Sequence, residues 1–199
     1  MSTIKVDTIK DESGAKTLVE QSGSDFVWGA GVPAGTVLQV VVNTDNTEYG
    51  ETVNDDLWNY SDLNTAITLK KANSKVLVNF NFGAIGFQDS SMLGYGLIRF
   101  KIGSGSYSDL TPKGANTVTT NNHYHHMAVN LTDHAYQTNA GASMIGVHTT
   151  SSAKGIVLTY APYFYGESNS ADIFINRSSR NGSNDFSTIS SCTLMEIAT

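Results

Sequence analysis

Apolar residues along this chain recur at every second position and almost nowhere at a helical spacing. A period of two is the mark of a strand with one buried face. The clearest run is Lys75-Val76-Leu77-Val78-Asn79-Phe80-Asn81-Phe82. Val76, Val78, Phe80 and Phe82 share one face, and Lys75, Leu77, Asn79 and Asn81 share the other. Residues 97–102 repeat the pattern, setting Leu97, Arg99 and Lys101 against Ile98, Phe100 and Ile102. Runs rich in β-branched and aromatic residues predict further strands at 36–42, 65–69, 143–149, 155–165, 171–176 and 191–198, with a weaker one at 124–131. Stretches such as Gly103-Ser104-Gly105-Ser106 supply turns between them. The best helical stretch, 54–63, carries too many Asp and Asn residues for more than one or two turns.

Eight or nine short strands, polar turns and no internal repeat predict an all-β chain, a jelly-roll-like β-sandwich. Three regions are expected. Residues 1–22 form a short N-terminal β-hairpin arm: Ile4, Val6 and Thr8 alternate with Lys5 and Asp7, residues 11–14 turn, and residues 17–19 resume an extended pattern. A lone hairpin is marginal in water, so the arm needs a partner surface. Ile4, Val6, Thr8, Ile9, Leu18 and Val19 are its candidate attachment residues. Residues 23–35 read as a connector with four glycines and Pro33; its Phe26, Val27 and Trp28 are expected to pack on the body or on a neighbouring subunit. Residues 36–199 are the body.

Composition narrows the function classes. Charged residues make up only 15% of the 199, hydrophobic ones 40%, and the net charge is −6. Lys70-Lys71 is the only adjacent pair of cations, which argues against binding nucleic acid through its phosphates. No apolar run reaches membrane-spanning length and no apolar stretch opens the chain, so neither membrane insertion nor a secretory signal is expected.

Candidate chemistry is sparse. Cys192 is the sole cysteine and lies in an expected strand, so it is read as a buried hydrophobe. His123 and His125 would share one face of a strand at a spacing that can chelate a metal, but Asp133 is the only nearby carboxylate. They are read first as loop or interface imidazoles, and no cofactor is expected. The acidic residues between Asp45 and Asp62 lack the spacing of a calcium loop and read as a solvated segment. Tyr49, Trp58, Tyr60, Tyr107 and Tyr124 flank polar loops, where sugars can stack on rings while Asn and Asp side chains bind hydroxyls; core packing is the competing reading. No Gly-x-Ser-x-Gly elbow, phosphate loop or carboxylate pair is present, so the chain is not read as an enzyme.

Several phrases carry a family resemblance. Ser2-Thr3-Ile4-Lys5-Val6-Asp7-Thr8-Ile9, followed by a Gly-containing turn, resembles the attachment segment of tail-fibre proteins from marine, cyanophage-like phages. The body repeats the resemblance in order: Gly35-Thr36-Val37-Leu38-Gln39-Val40-Val41; Ala66-Ile67-Thr68-Leu69 with Asn73-Ser74-Lys75-Val76-Leu77-Val78; Thr159-Tyr160; Ile175-Asn176-Arg177-Ser178; and Cys192-Thr193-Leu194-Met195-Glu196-Ile197. It covers most of 1–22 and 35–199 and lapses over 103–142. The resemblance implies a virion structural protein, a homotrimeric tail fibre. Its arm would anchor to a tail adaptor, nozzle or other virion protein, and its body would meet a host-surface glycan or protein. Tyr49, Trp58, Tyr60, Tyr107 and Tyr124 become candidate host contacts. Capsid decoration by the same fold is the alternative. A fibre-borne carbohydrate-active enzyme is a third, disfavoured by the short body and the missing carboxylate pair.

Overall fold

A computed structural model describes residues 8–22, 25–29, 31–53, 57–88, 93–111, 119–120, 123–124, 126–130, 140–166, 171–177 and 187–199. Its strands, in chain order, are β1 (Thr8–Lys10), β2 (Thr17–Ser22), β3 (Asp25–Trp28), β4 (Val37–Asp45), β5 (Tyr49–Val53), β6 (Trp58–Asn59), β7 (Thr65–Thr68), β8 (Lys75–Gln88), β9 (Leu93–Ile102), β10 (Ser108–Asp109), β11 (Thr119–Thr120), β12 (His123–Tyr124), β13 (Met127–Asn130), β14 (Ala140–Thr149), β15 (Val157–Gly166), β16 (Ala171–Ile175) and β17 (Ser190–Ile197). The 54–63 stretch contributes one short 3-10 turn, Ser61–Leu63.

Besides the β1-β2-β3 sheet and the β11-β12 pair, the strands form two six-stranded antiparallel sheets, which make the sandwich. β8 is bordered along one edge by β14. Its other edge takes β17 over its first half and β16 over its second. β4 and β5 continue outward from β17 and β16. In the second sheet β9 pairs with β15 along nearly its whole length, and its far edge takes β10 and β13. β7 and β6 border β15. Split strands that share one lane can be counted as one place along the chain: β4/β5, β6/β7, β8, β9, β10/β13, β14, β15, β16/β17. The first sheet then runs 1-8-3-6 and the second 2-7-4-5. That is the order of an eight-strand jelly roll, two interlocked Greek keys. The expected fold class is thus the observed one.

The sandwich core is where the period-two pattern placed it. Val76, Val78, Phe80 and Phe82 are buried against Ile98, Met144, Leu158, Tyr160, Phe164 and Leu194. Beyond Phe82 the alternation breaks, since Ala84 and Ile85 are both buried; the facing strand slips register between Ala140 and Ala142. Such a slip turns successive side chains to one side. Leu97, grouped by alternation with Arg99 and Lys101, is fully buried along with Ile98. Ala161, on the same outer face by register, is also fully buried, so this part of the face is not solvated. Cys192 lies in the core, and burial pushes its thiol up to about 12, out of nucleophilic range.

Two polar knots hold the ends of the sandwich. At one, the Glu196 carboxylate is completely buried and accepts hydrogen bonds from the turn after β7. At the other, Asn176 follows β16 with φ of 61° and ties three segments together.

Candidate functional site

The arm is a three-stranded sheet, larger than the hairpin expected. β2 pairs with β1 and also with β3, which comes from the segment read as connector. Asp11 closes the β1–β2 turn: its carboxylate accepts from the Lys16 N–H at 2.9 Å and the Ser13 hydroxyl at 2.9 Å, and Gly14 takes a φ of +69°. Those contacts hold the Asp11 carboxyl below its usual range. Thr8 and Ile9 lie exposed on β1, and Leu18 and Val19 are half-buried on β2; Ile4 and Val6 lie outside the described residues. Gly29 follows β3 because a Cβ there would collide with the Thr17 carbonyl oxygen. Trp28 joins the arm to the body. It packs on Val32, Leu38 and Ala198, and its indole N–H donates to the Leu38 carbonyl at 2.9 Å.

Of the five aromatic candidates, three converge. Tyr49, Trp58 and Tyr60 stand with ring centroids 5.3 to 6.0 Å apart, and Trp58 continues to Phe164 at 6.1 Å. This is an aromatic cluster of the core rather than a surface platform. Tyr60 is fully buried, so its ring cannot meet a host surface, contrary to expectation. Its hydroxyl donates to the Asp45 carboxylate, and Asn176 Nδ2 lies 3.2 Å from it. Burial and the Asp45 bond both raise its pKa. Tyr49 and Trp58 are half-buried at the rim of the cluster.

Tyr107 belongs elsewhere, on the outer face of the second sheet. Its ring meets Tyr163 edge-on at 5.5 Å. The Arg99 guanidinium lies 4.9 Å from the Tyr163 centroid, and the Lys101 ammonium 5.0 Å from that of Tyr107. Arg99 also pairs with Asp109 at 2.9 Å and donates to the Tyr107 carbonyl at 2.9 Å. All five residues are half-buried. Two rings, two cations and a carboxylate on one face can stack a sugar ring and bind its hydroxyls. Alternation over residues 97–102 sets Arg99 and Lys101 on one strand face, but nothing in the sequence brings Tyr107 and Tyr163 to it. The available signal was the two-residue spacing of Arg99 and Lys101, which puts both cations on one side.

The histidine candidates fall largely outside what is described. The backbone of His123 and Tyr124 forms β12, while His125 lies outside the described residues. Among the described residues no three His, Cys, Asp or Glu side chains group as metal ligands. His126 Nδ1 accepts from the Ile98 N–H at 3.1 Å, a structural role. His148 lines a cleft of about 430 Å³ with Phe100, Asp109 and Thr111 at the sandwich edge. Its ring lies 4.1 Å from Phe100, and its Nδ1 is 2.8 Å from the Tyr160 hydroxyl. Burial lowers its pKa below 6.5, so the folded chain favours the neutral ring. As pH falls through 6.5 the unfolded chain takes up the proton first, and the folded state loses stability. The urea midpoint is therefore expected to drop between about pH 7.5 and 5.5, and to drop less in His148→Gln.

No family model and no curated protein matches the chain. Solved structures of infectious bursal disease virus are similar to it at low identity. The Gx strain structure is 9% identical over 92% of this chain and 47% of that one, with a TM-score of 0.30. The Gt strain structure is 7% identical over 92% and 48%, with a TM-score of 0.28. A VP2 protein of the same virus in derived T=1 particles is 11% identical over 99% and 48%, also at 0.28. The chain thus spans about half the length of each of these viral chains.

Proposed function

We propose that this chain is a phage virion structural protein, a homotrimeric tail fibre that acts by binding rather than by catalysis. The N-terminal sheet anchors it to a tail adaptor, nozzle or other virion protein, and the jelly-roll body faces the host surface. The observation that carries this reading is the separateness of the arm. Among the described residues β1, β2 and β3 share no strand with the sandwich, and the small Trp28 cluster bridges them to it. A sheet this small gains most of its stability from what it docks onto. On the body, the Tyr107–Tyr163 face with Arg99, Lys101 and Asp109 is the surface suited to a host glycan. Three copies on one fibre would multiply a weak contact of this kind.

A capsid decoration protein would use the same arm and sandwich, so location is the test. Antibody against residues 36–199 is expected to place gold at the tails of intact virions. Gold spread over capsids would replace the fibre reading with decoration, and unlabelled particles would end both. A chain lacking residues 2–22 should keep a folded body and be missing from particles; its incorporation at normal levels would refute anchoring by the arm.

A further inference from the structure

The outer face of the second sheet holds a cation to which the fold gives no acid partner. Strand register places Asp109 beside Arg99 and Thr159 beside Lys101, and Tyr163 stands two residues along β15 from Ala161, the neighbour of Arg99. Arg99 is committed within the face: its Nε pairs with Asp109 and its Nη2 donates to the Tyr107 carbonyl, both at 2.9 Å. Its charge is answered before any ligand arrives. That of Lys101 is not. The Lys101 ammonium stands 5.0 Å from the Tyr107 centroid, and among the described residues no carboxylate pairs with it. Tyr107 and Tyr163 bring ring faces and hydroxyls to the same place, and burial raises the pKa of both, so the hydroxyls stay neutral donors. Asp109 also lines the cleft of about 430 Å³ with Thr111 and His148, so face and cleft adjoin. A cleft of that volume is within the range of ligand sites.

We infer that this face binds an acidic sugar, a saccharide whose anionic group meets Lys101 while its ring lies against Tyr107 and Tyr163. The inference deepens the host-glycan reading of this face and rests on it, but it needs neither the trimer nor the tail location. The mixture of polar groups is one argument. Arg99, the two tyrosine hydroxyls and Thr159 can donate, and Asp109 accepts; a ligand dense in hydroxyls matches both roles, because each hydroxyl donates and accepts. The rings are another, since they give the apolar C–H face of a sugar a surface to lie on. Asp109 and the Tyr107 carbonyl already hold Arg99 in place, so little ordering is left to pay on binding. Lys101 then sets the charge preference. A half-buried ammonium beside a ring face keeps its attraction for an anion, and its bond to an anionic oxygen is stronger than its bond to a neutral hydroxyl.

The test is equilibrium binding of the full chain to oligosaccharides in matched pairs. Uronic- and sialic-acid chains are paired with their carboxyl-reduced forms, and sulfated chains with their desulfated forms. At low salt the wild type is expected to bind at least one acidic chain about tenfold more tightly than its neutral partner, and the margin should shrink as salt rises. Lys101→Gln should cut the margin to within about twofold and leave binding of the neutral form unchanged. Tyr107→Ala should weaken both forms. Lys10→Gln, at an exposed lysine of the arm, is the control for the lost charge, and unchanged circular dichroism spectra check the folds. Equal binding of acidic and neutral partners overturns the acidic-sugar inference and leaves the glycan reading standing. A Lys101→Gln variant that keeps the margin overturns the assignment to Lys101. A wild type that binds no member of the panel overturns the inference and the glycan reading of this face together.

Discussion

Glu196→Ala is expected to lower the stability of the folded chain by about 4 kcal/mol, a large part of what a single domain has to lose. The carboxylate is completely buried near the end of β17. It accepts from the Lys70 N–H at 2.9 Å, the Lys71 N–H at 3.0 Å, the Ser74 hydroxyl at 2.8 Å and Gln39 Nε2 at 2.5 Å. Four donors therefore converge on one side chain, and two of them are backbone groups of the turn linking β7 to β8. Alanine leaves the Lys70 and Lys71 N–H groups without their acceptor, while Gln39 Nε2 keeps the Thr68 carbonyl and the Ser74 hydroxyl keeps the Lys71 carbonyl; each donor left buried and unmet costs about 1 to 3 kcal/mol. Glu196→Gln keeps the shape but turns an amide N–H₂ toward the donors, so it should cost roughly half as much. Urea unfolding of the three proteins checks the order. An alanine variant within about 1 kcal/mol of the wild type would show that the turn finds other partners.

Asn176→Ala is expected to cost about 3 kcal/mol, and for two separable reasons. Asn176 is fully buried with a positive φ of 61°, a conformation asparagine tolerates and alanine resists. Its Nδ2 donates to the carbonyls of Asp45 at 3.0 Å and Thr47 at 3.2 Å, and its Oδ1 accepts from the Ser190 hydroxyl at 2.6 Å. Its backbone N–H also donates to the Ala84 carbonyl at 3.0 Å, and its carbonyl accepts from the Thr188 N–H at 3.0 Å. Glycine relieves the backbone part and leaves the side-chain part, so Asn176→Gly should recover about 1 kcal/mol relative to alanine. Equal losses for the two variants would mean that the backbone conformation contributes nothing. The knot also explains why Tyr60 is inside: its hydroxyl shares Asp45 with Asn176, and burying the ring requires that partner.

Both residues stand in phrases visible in the sequence, Ile175-Asn176-Arg177-Ser178 and Cys192-Thr193-Leu194-Met195-Glu196-Ile197, yet their partners could not be read there. Glu196 and Ser74 are 122 positions apart, and Asn176 and Asp45 are 131 apart. A polar residue at an inward position of a strand is legible as an exception to the pattern; the group that satisfies it is not. The same limit separated the aromatic candidates. Tyr60 and Tyr107 look alike as tyrosines beside polar residues, but one follows a strand into the core and the other lies on the outer face of a sheet. Strands β5 and β6 are not legible in the sequence because Gly50, Glu51 and Asn59 dilute the apolar signal, while their pairing with β16 and β15 holds them extended.

What the sequence determined by itself was local: which stretches extend, where the chain turns, and that Val76, Val78, Phe80 and Phe82 face inward. Alternation is a property of neighbours along the chain, and burying one face of a strand needs no knowledge of its partner. The tertiary structure decided the rest. It set the 1-8-3-6 and 2-7-4-5 strand orders, brought Trp28 onto Leu38, and gathered Tyr107, Tyr163, Arg99 and Lys101 on one face. Strand order and register join residues far apart in the chain, and only the packing of two complete sheets selects among the pairings that each strand would accept alone.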